Sequence, residues 1–295
     1  MYPIHYIEPV FRPPSEARSL ILPVTNGCSW NRCTFCEMYT APQKKFRVRS
    51  QDEIEADLVR VAEARLSVRR VFLADGDAMA LSPRRLLAIL EAVKRHLPQV
   101  ERISAYCLPR NTQNKSADDL AALAAAGLKM VYVGCESGDD EVLRLVNKGE
   151  TYASSREALL KLGAAGITRS VMILNGLGGT RLSEQHALNS ARLMNDTQPE
   201  YLSTLVVSFP MGEARLRSGY PDFELPDTVG LMKEMALFLS QLQLHNTVFR
   251  SDHASNYLVL KGRLNRDKEA LLAQVHAAIA APEQAGLRPE WLRGL

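Results

Sequence analysis

From about residue 19 onward, short apolar runs alternate with longer stretches whose apolar positions recur at helical spacing. The short runs at 19–24, 71–74, 102–107, 129–133, 167–174 and 202–207 read as buried strands. The stretches at 50–65, 82–96, 116–126, 140–147, 154–165, 183–195, 228–241 and 266–281 read as helices. Ser50 stands where an N-cap belongs, and Pro83 suits a first helical turn. A further short strand is expected at 247–250. About six strand–helix units in series call for an α/β fold, a partial (β/α)6 TIM-like barrel with a parallel sheet and outer helices. In that architecture the chemistry lies at the C-terminal ends of the strands. One domain is expected over 1–295, with a core at about 19–212 and an extension at about 213–295 covering the barrel mouth.

Composition narrows the function classes. The 295 residues are 46% hydrophobic and 23% charged, which excludes a disordered chain. A net charge of +3 is too small for a basic nucleic-acid groove, and the clusters Lys44–Arg49 and Arg69-Arg70 read as solvated faces. Residues 1–14 carry four prolines and no signal-type apolar core. No run approaches the roughly 20 apolar residues that span a bilayer. A cytoplasmic protein without membrane contact is expected. Five cysteines, an odd number, argue against a disulfide framework.

Three of those cysteines fall within nine residues, Cys28, Cys33 and Cys36, directly after the first strand. Thiolates so close can converge on one metal centre. A structural zinc site takes four ligands, so zinc would need a distant His. An iron–sulfur cubane on three cysteines leaves one iron open to an exogenous ligand. Three unrelated thiols are the bland alternative.

The loop resembles the cluster loop of the radical S-adenosylmethionine (radical SAM) superfamily, C-x3-C-x2-C with an aromatic before the last cysteine. Phe35 fills the aromatic position; here four residues, Ser29 to Arg32, separate the first two cysteines. The resemblance implies a [4Fe–4S] cluster on Cys28, Cys33 and Cys36, with SAM at the open iron. It also implies that Ala74-Asp75-Gly76-Asp77, ending the second strand, meets the amino group of SAM. The run Tyr132-Val133-Gly134-Cys135-Glu136-Ser137-Gly138, followed by Asn147-Lys148-Gly149, resembles the fourth-strand signature of the methylthiotransferase and Elongator-type subgroup. That likeness gives Glu136 the SAM ribose, with Ser137 beside it. A polar turn capped by Ser137 or Asp139 is the structural alternative. Asn175-Gly176-Leu177-Gly178-Gly179 resembles the glycine motif that lies against adenosine and the methionine carboxylate; a tight left-handed turn needs the same glycines. Phe209 would correspond to the strand end that meets adenine.

Arg110, after the third strand, is a candidate for a carboxylate of SAM or substrate, with a solvated arginine as the alternative. Cys107 and Cys135 read as small core residues. The polar stretch from Arg250 to Tyr257 reads as a substrate lid in which His253 acts as acid, base or hydrogen-bond donor. A loop whose polar groups satisfy one another reads equally well. The function implied is reductive cleavage of SAM to a 5′-deoxyadenosyl radical that takes hydrogen from a small-molecule substrate. A low-potential donor such as flavodoxin or ferredoxin supplies the electron. The alternatives are a zinc or iron–sulfur protein without radical chemistry, or a tRNA-modifying radical SAM enzyme. The short stretch after the barrel disfavours the latter, because it leaves no room for an RNA-binding barrel.

Overall fold

The computed structural model describes residues 3–294; Met1, Tyr2 and Leu295, the ends of the expected single domain, lie outside the described residues. The chain runs β1 (Leu20–Pro23), β2 (Thr25–Asn26), β3 (Arg47–Val48), α1 (Gln51–Glu63), β4 (Arg70–Ala74), α2 (Pro83–His96), β5 (Arg102–Cys107), α3 (Ala117–Ala125) and β6 (Leu128–Glu136). It continues through α4 (Asp140–Leu145), α5 (Tyr152–Ala164), β7 (Thr168–Asn175), α6 (Gly179–Thr197) and β8 (Tyr201–Val206). The last elements are α7 (Ala214–Arg217), α8 (Thr228–Gln241), β9 (Thr247–Ser251), β10 (Leu260–Leu264) and α9 (Lys268–Ala280). The α/β class and the parallel sheet with helices are as the pattern predicts. Among the described residues eight strands belong to the main sheet, and β2 and β3 form a separate ribbon.

Two compact units divide the chain. The first comprises Met1–Asn31, Cys36–Val133 and Leu160–Arg169. In it β1, β4, β5 and β6 pair in parallel in that order. Parallel strands bury both faces: Val71, Phe72 and Leu73 of β4 are fully buried, as are Leu58 and Leu86 on α1 and α2. Phe72, Tyr106 and Tyr132 pack edge-on with ring centroids 5.0–6.3 Å apart. The Ser50 cap forms as read, in a capping box with Glu53, and Ser116 makes a second with Asp119.

The second unit comprises Arg32–Phe35, Gly134–Leu159 and Ser170–Leu295. There β7, β8 and β9 are parallel, and β10 runs antiparallel to β9. The strand expected at 247–250 forms as β9, and β10 follows it in the sheet. An apolar cluster of Val142, Leu177, Tyr220 and Phe223 forms part of this unit's core. The fourth strand extends past its expected end at residue 133, through Cys135, so that Glu136 is its last residue. Among the described residues no helix is long and apolar enough to cross a membrane.

Candidate active site

In the first unit the ribbon of β2 and β3 brackets the cysteine loop, with Thr25 opposite Val48 and Asn26 opposite Arg47. The loop meets the turn after β4 backbone to backbone. A Cβ on Gly76, whose φ is +84°, would lie 1.9 Å from the carbonyl oxygen of Gly27. Only glycine permits that approach and that dihedral together.

Both carboxylates of this turn bind protein groups. Asp77 Oδ1 accepts the amide of Ser29 at 2.8 Å, and its Oδ2 accepts the Ser29 hydroxyl and, at 3.3 Å, Asn111 Nδ2. Burial pushes the Asp77 carboxyl up, while the Ser29 bonds pull the other way. Asp75 Oδ1 accepts the Tyr39 hydroxyl at 2.9 Å, and Oδ2 forms a buried ion pair with Lys44. The Tyr39 oxygen in turn accepts the amide of Gly76 at 3.0 Å. The two aspartates, read from sequence as partners for an ammonium, thus fasten the segments flanking Cys28 and Cys36 to the end of β4.

Arg110 lies with its guanidinium carbon 3.8 Å from the centroid of the Trp30 ring, a cation–π contact with the same loop. Asn31 adopts φ +42°, donates its amide to Cys28 Sγ at 3.5 Å and donates Nδ2 to the Tyr39 carbonyl at 2.8 Å.

In the second unit the segment Arg32–Phe35 is strapped down from two sides. Thr34 donates its amide to the Val146 carbonyl at 2.9 Å, and Asn147 Nδ2 donates to the Arg32 carbonyl at 3.2 Å. Arg215, on α7, donates to the Cys33 carbonyl at 3.1 and 3.2 Å. Phe35 and Phe209 both pack on the apolar cluster, Phe209 edge-on to Phe223 at 5.6 Å.

Glu136 is buried at the C-terminal end of β6 with φ +67°. That dihedral is uncommon outside glycine and tends to mark functional turns. Its Oε1 accepts Lys148 Nζ at 3.1 Å; its Oε2 is buried and has no hydrogen-bond partner among the described residues. Lys148 is buried too. Burial opposes its charge, but Glu136 and Cys33 outweigh that and hold its pKa above the usual lysine range. The ammonium also lies 5.9 Å from the Phe35 ring centroid. Lys148, quoted in the sequence motif without a role, is the residue this geometry adds.

Ser137 accepts the amide of Asp139 at 3.0 Å, and Asp139 caps α4 by accepting the amide of Val142 at 2.9 Å. Asn175 donates Nδ2 to Glu234 Oε1 at 3.0 Å, and the Gly178 carbonyl accepts the Tyr220 hydroxyl at 2.9 Å. Gly176 and Gly179 both have positive φ, as a tight left-handed turn requires. Glu234, in the middle of an apolar helix, carried no sequence signal that tied it to this turn.

His253 is turned into its own loop. Its Nδ1 is 3.1 Å from the Ser255 amide, which donates to it, and 3.0 Å from the Ser255 hydroxyl. Burial, with Arg288 nearby, holds its pKa below the usual 6.5. Asn256 pairs with β8, accepting the Val206 amide at 2.8 Å and donating to the Thr204 carbonyl at 2.9 Å. Arg288 donates to the carbonyls of His253, Ala254 and Asn256 at 2.8, 3.1 and 2.6 Å. The polar groups of this segment are engaged with one another and with the sheet.

Cys33 is buried, and Cys28 and Cys36 are half-buried. Among the described residues no three Cys, His, Asp or Glu side chains are gathered at metal-binding spacing. Ligand sets of this kind commonly close only around the bound group. The donor chemistry fits an iron–sulfur cluster, with three thiols in one loop and no carboxylate or imidazole among them.

The family model described as the Radical SAM superfamily matches residues 22–194, more than half of the chain. The chain belongs to the radical SAM superfamily. The cofactors of that superfamily are a [4Fe–4S] cluster and S-adenosylmethionine. A mitochondrial radical S-adenosyl methionine domain-containing protein 1 of Bos taurus is 36% identical over 144 residues, which cover 45% of this chain and 30% of that protein. The heme chaperone HemW of Bacillus subtilis is 25% identical over 144 residues, covering 48% and 37%. The chain thus spans about a third of the length of these curated relatives. Among solved structures, coproporphyrinogen III oxidase (HemN) from Escherichia coli, itself a radical SAM enzyme, superposes with a TM-score of 0.60 at 18% identity. That match covers 76% of this chain and 52% of HemN, and at such identity it shows the fold.

Proposed function

We propose that this radical SAM protein binds a [4Fe–4S] cluster through Cys28, Cys33 and Cys36 and cleaves SAM reductively to act on a small-molecule substrate. Bound there, the cluster would supply one electron, drawn from a low-potential donor of the flavodoxin or ferredoxin kind, for reductive cleavage of the SAM sulfur–carbon bond to methionine and a 5′-deoxyadenosyl radical able to take a hydrogen atom from a substrate carbon. The observation that carries the reading is Glu136. One of its oxygens is held by Lys148, and the other is buried at a strand end without a partner among the described residues, as a ribose hydroxyl acceptor needs.

Ser137, Asn175, Gly178 and Gly179 shape the turns on which the nucleoside and methionine parts of SAM rest. Asp75 and Asp77 hold the cysteine loop to β4, leaving the backbone around Gly76 to face the amino group. Phe35 and Phe209 give the site apolar walls. Arg110 supports the loop through Trp30, and His253 stiffens its own segment. The reading takes the chain as one radical SAM domain working in the cytoplasm.

Anaerobic reconstitution with iron and sulfide, followed by EPR of the reduced protein with and without SAM and chromatography for 5′-deoxyadenosine, tests the reading. A cluster signal that shifts with SAM and a 5′-deoxyadenosine product support it. Stoichiometric zinc, or a cluster indifferent to SAM, overturns it in favour of a binding or electron-transfer role.

A further inference from the structure

Glu234 lies in the middle of α8 and is only 4% exposed. Burying a carboxylate costs several kcal/mol unless hydrogen bonds and charge compensate it. Among the described residues no lysine or arginine pairs with it; the basic group beside it is His186, whose Nε2 is 3.8 Å from Oε1. Its compensation comes from one turn of chain. Oε1 accepts the Gly176 amide at 2.6 Å and Asn175 Nδ2 at 3.0 Å, and Oε2 accepts the Ser183 hydroxyl at 2.5 Å. The carboxylate thereby fixes both the exit of β7 and the first turns of α6.

His186 carries the connection to the other strand end. It is 1% exposed, with Nε2 3.0 Å from the Leu174 carbonyl and Nδ1 2.7 Å from the Ser137 hydroxyl. In the neutral imidazole a nitrogen bonded to a carbonyl carries the proton, so Nδ1 accepts from Ser137. The Ser137 oxygen is then free to accept the Asp139 amide, which it does at 3.0 Å. His186 also backs the glycine turn, since a Cβ on Gly178 would lie 3.0 Å from His186 Cβ.

We infer that Glu234 is a positioning residue for SAM, acting on the Asn175–Gly179 turn, while its neighbour His186 braces the turn at Ser137 from the same end of β7. The inference rests on the proposed function, which gives those two turns to the cofactor. It goes further in assigning part of the cofactor site to a helix outside the residues that the superfamily model matches, 22–194. An amide or hydroxyl displaced by a fraction of an ångström at either turn loses much of its bond to the ligand, because hydrogen bonds weaken steeply with geometry.

The test uses the reconstituted full chain, its iron content and far-UV circular dichroism, and 5′-deoxyadenosine formation against SAM concentration. For Glu234→Ala, with iron content and fold retained, KM for SAM should rise about tenfold or more while kcat changes less, the signature of lost cofactor binding. Glu234→Gln keeps an oxygen acceptor for Asn175 and Gly176 and should stay within about threefold of the parent, whereas Glu234→Met, of like volume but without an acceptor, should raise KM as the Ala variant does. His186→Ala should raise KM less than Glu234→Ala, since it leaves the bonds to Glu234 in place. An unchanged KM in folded, iron-loaded Glu234→Ala overturns the inference, as does a Gln variant no better than Ala. Should the Ala variant not fold, Ser183→Ala, which removes one bond to the same carboxylate, decides. A rise in KM of about two- to fivefold supports the inference, and no rise overturns it. A parent protein that holds its cluster but neither binds nor cleaves SAM is a different failure, since it removes the proposed function and this inference with it.

Discussion

Lys148 Nζ stands 3.1 Å from Glu136 Oε1, and both side chains are buried. The pair joins the last residue of β6 to the turn after α4 and leaves Glu136 Oε2 unsatisfied among the described residues. A buried carboxylate oxygen without a donor is costly, and a ligand hydroxyl that bonds to it recovers that cost. Glu136→Gln should therefore keep the fold and the cluster but weaken SAM binding about 10- to 100-fold, since a hydrogen bond to a charged group is worth ~1.5–3 kcal/mol. Equilibrium dialysis on iron-loaded protein reads this directly. Parent-like affinity would take the ribose role away from Glu136.

The same pair predicts a stability effect from its other side. Lys148→Met leaves the Glu136 carboxylate buried without its cation, and breaking a buried pair in this way costs about 3–5 kcal/mol. Urea unfolding of the parent and the variant at neutral pH should show a loss of that order. A loss under about 1 kcal/mol would mean that the pair contributes no more than a surface ion pair does.

Cys33→Ala should abolish both iron retention and 5′-deoxyadenosine formation, because a cluster with two protein thiolates is not held. Cys107→Ala should load as much iron as the parent, since Cys107 is buried at the end of β5 and donates to its neighbouring carbonyl, that of Leu108, at 3.3 Å. Iron and sulfide per chain after anaerobic desalting separate the two. Full loading of the Cys33 variant would end the ligand assignment.

What could be read from the chain follows the range of the interactions involved. The strand and helix series was legible because each element carries its own signal, an apolar run closed by glycine or a serine cap such as Ser50 with Glu53. The edge strand β10 was missed because Lys261, Gly262 and Arg263 look like a polar loop, although Leu260 and Leu264 at its two ends are buried. Glu136 was legible as a site because a motif surrounds it. The engagement of Asp75 and Asp77 was not, because their partners Lys44, Tyr39, Ser29 and Asn111 lie more than 30 residues away in sequence. A carboxylate after a strand looks the same whether it waits for a ligand or already holds a loop.

That close packing makes the loop sensitive to Gly76. An alanine there would place Cβ 1.9 Å from the Gly27 carbonyl oxygen at φ +84°, so the backbone on one side must move. The left-handed dihedral alone costs a non-glycine residue about 1–2 kcal/mol. Gly76→Ala should lose cluster occupancy more than it loses helical content, because the displaced segment begins at Cys28. Iron content alongside circular dichroism measures both, and full iron loading would show that the loop tolerates the shift.

Glu16 gives a prediction in pH. It is fully buried in the first unit, accepting Arg102 Nη2 at 2.7 Å and the Tyr132 hydroxyl at 2.5 Å, with Ser19 on its other oxygen. Burial alone would raise its pKa; the bonds from Ser19 and Tyr132 and the charge of Arg102 outweigh that and hold it below the ordinary 4.5. A carboxyl with a lowered folded-state pKa gives up its proton more readily in the folded chain than in the unfolded one. Its contribution is therefore complete above the unfolded value and fades as the pH falls through the folded one. Glu16→Gln should cost about 1–3 kcal/mol at pH 7, where the parent carries the charge-assisted bonds. The gap between parent and variant should narrow in urea melts carried out at progressively more acid pH. A gap that stays constant from neutral to acid pH would show that the charge on Glu16 adds nothing beyond the shape of its side chain.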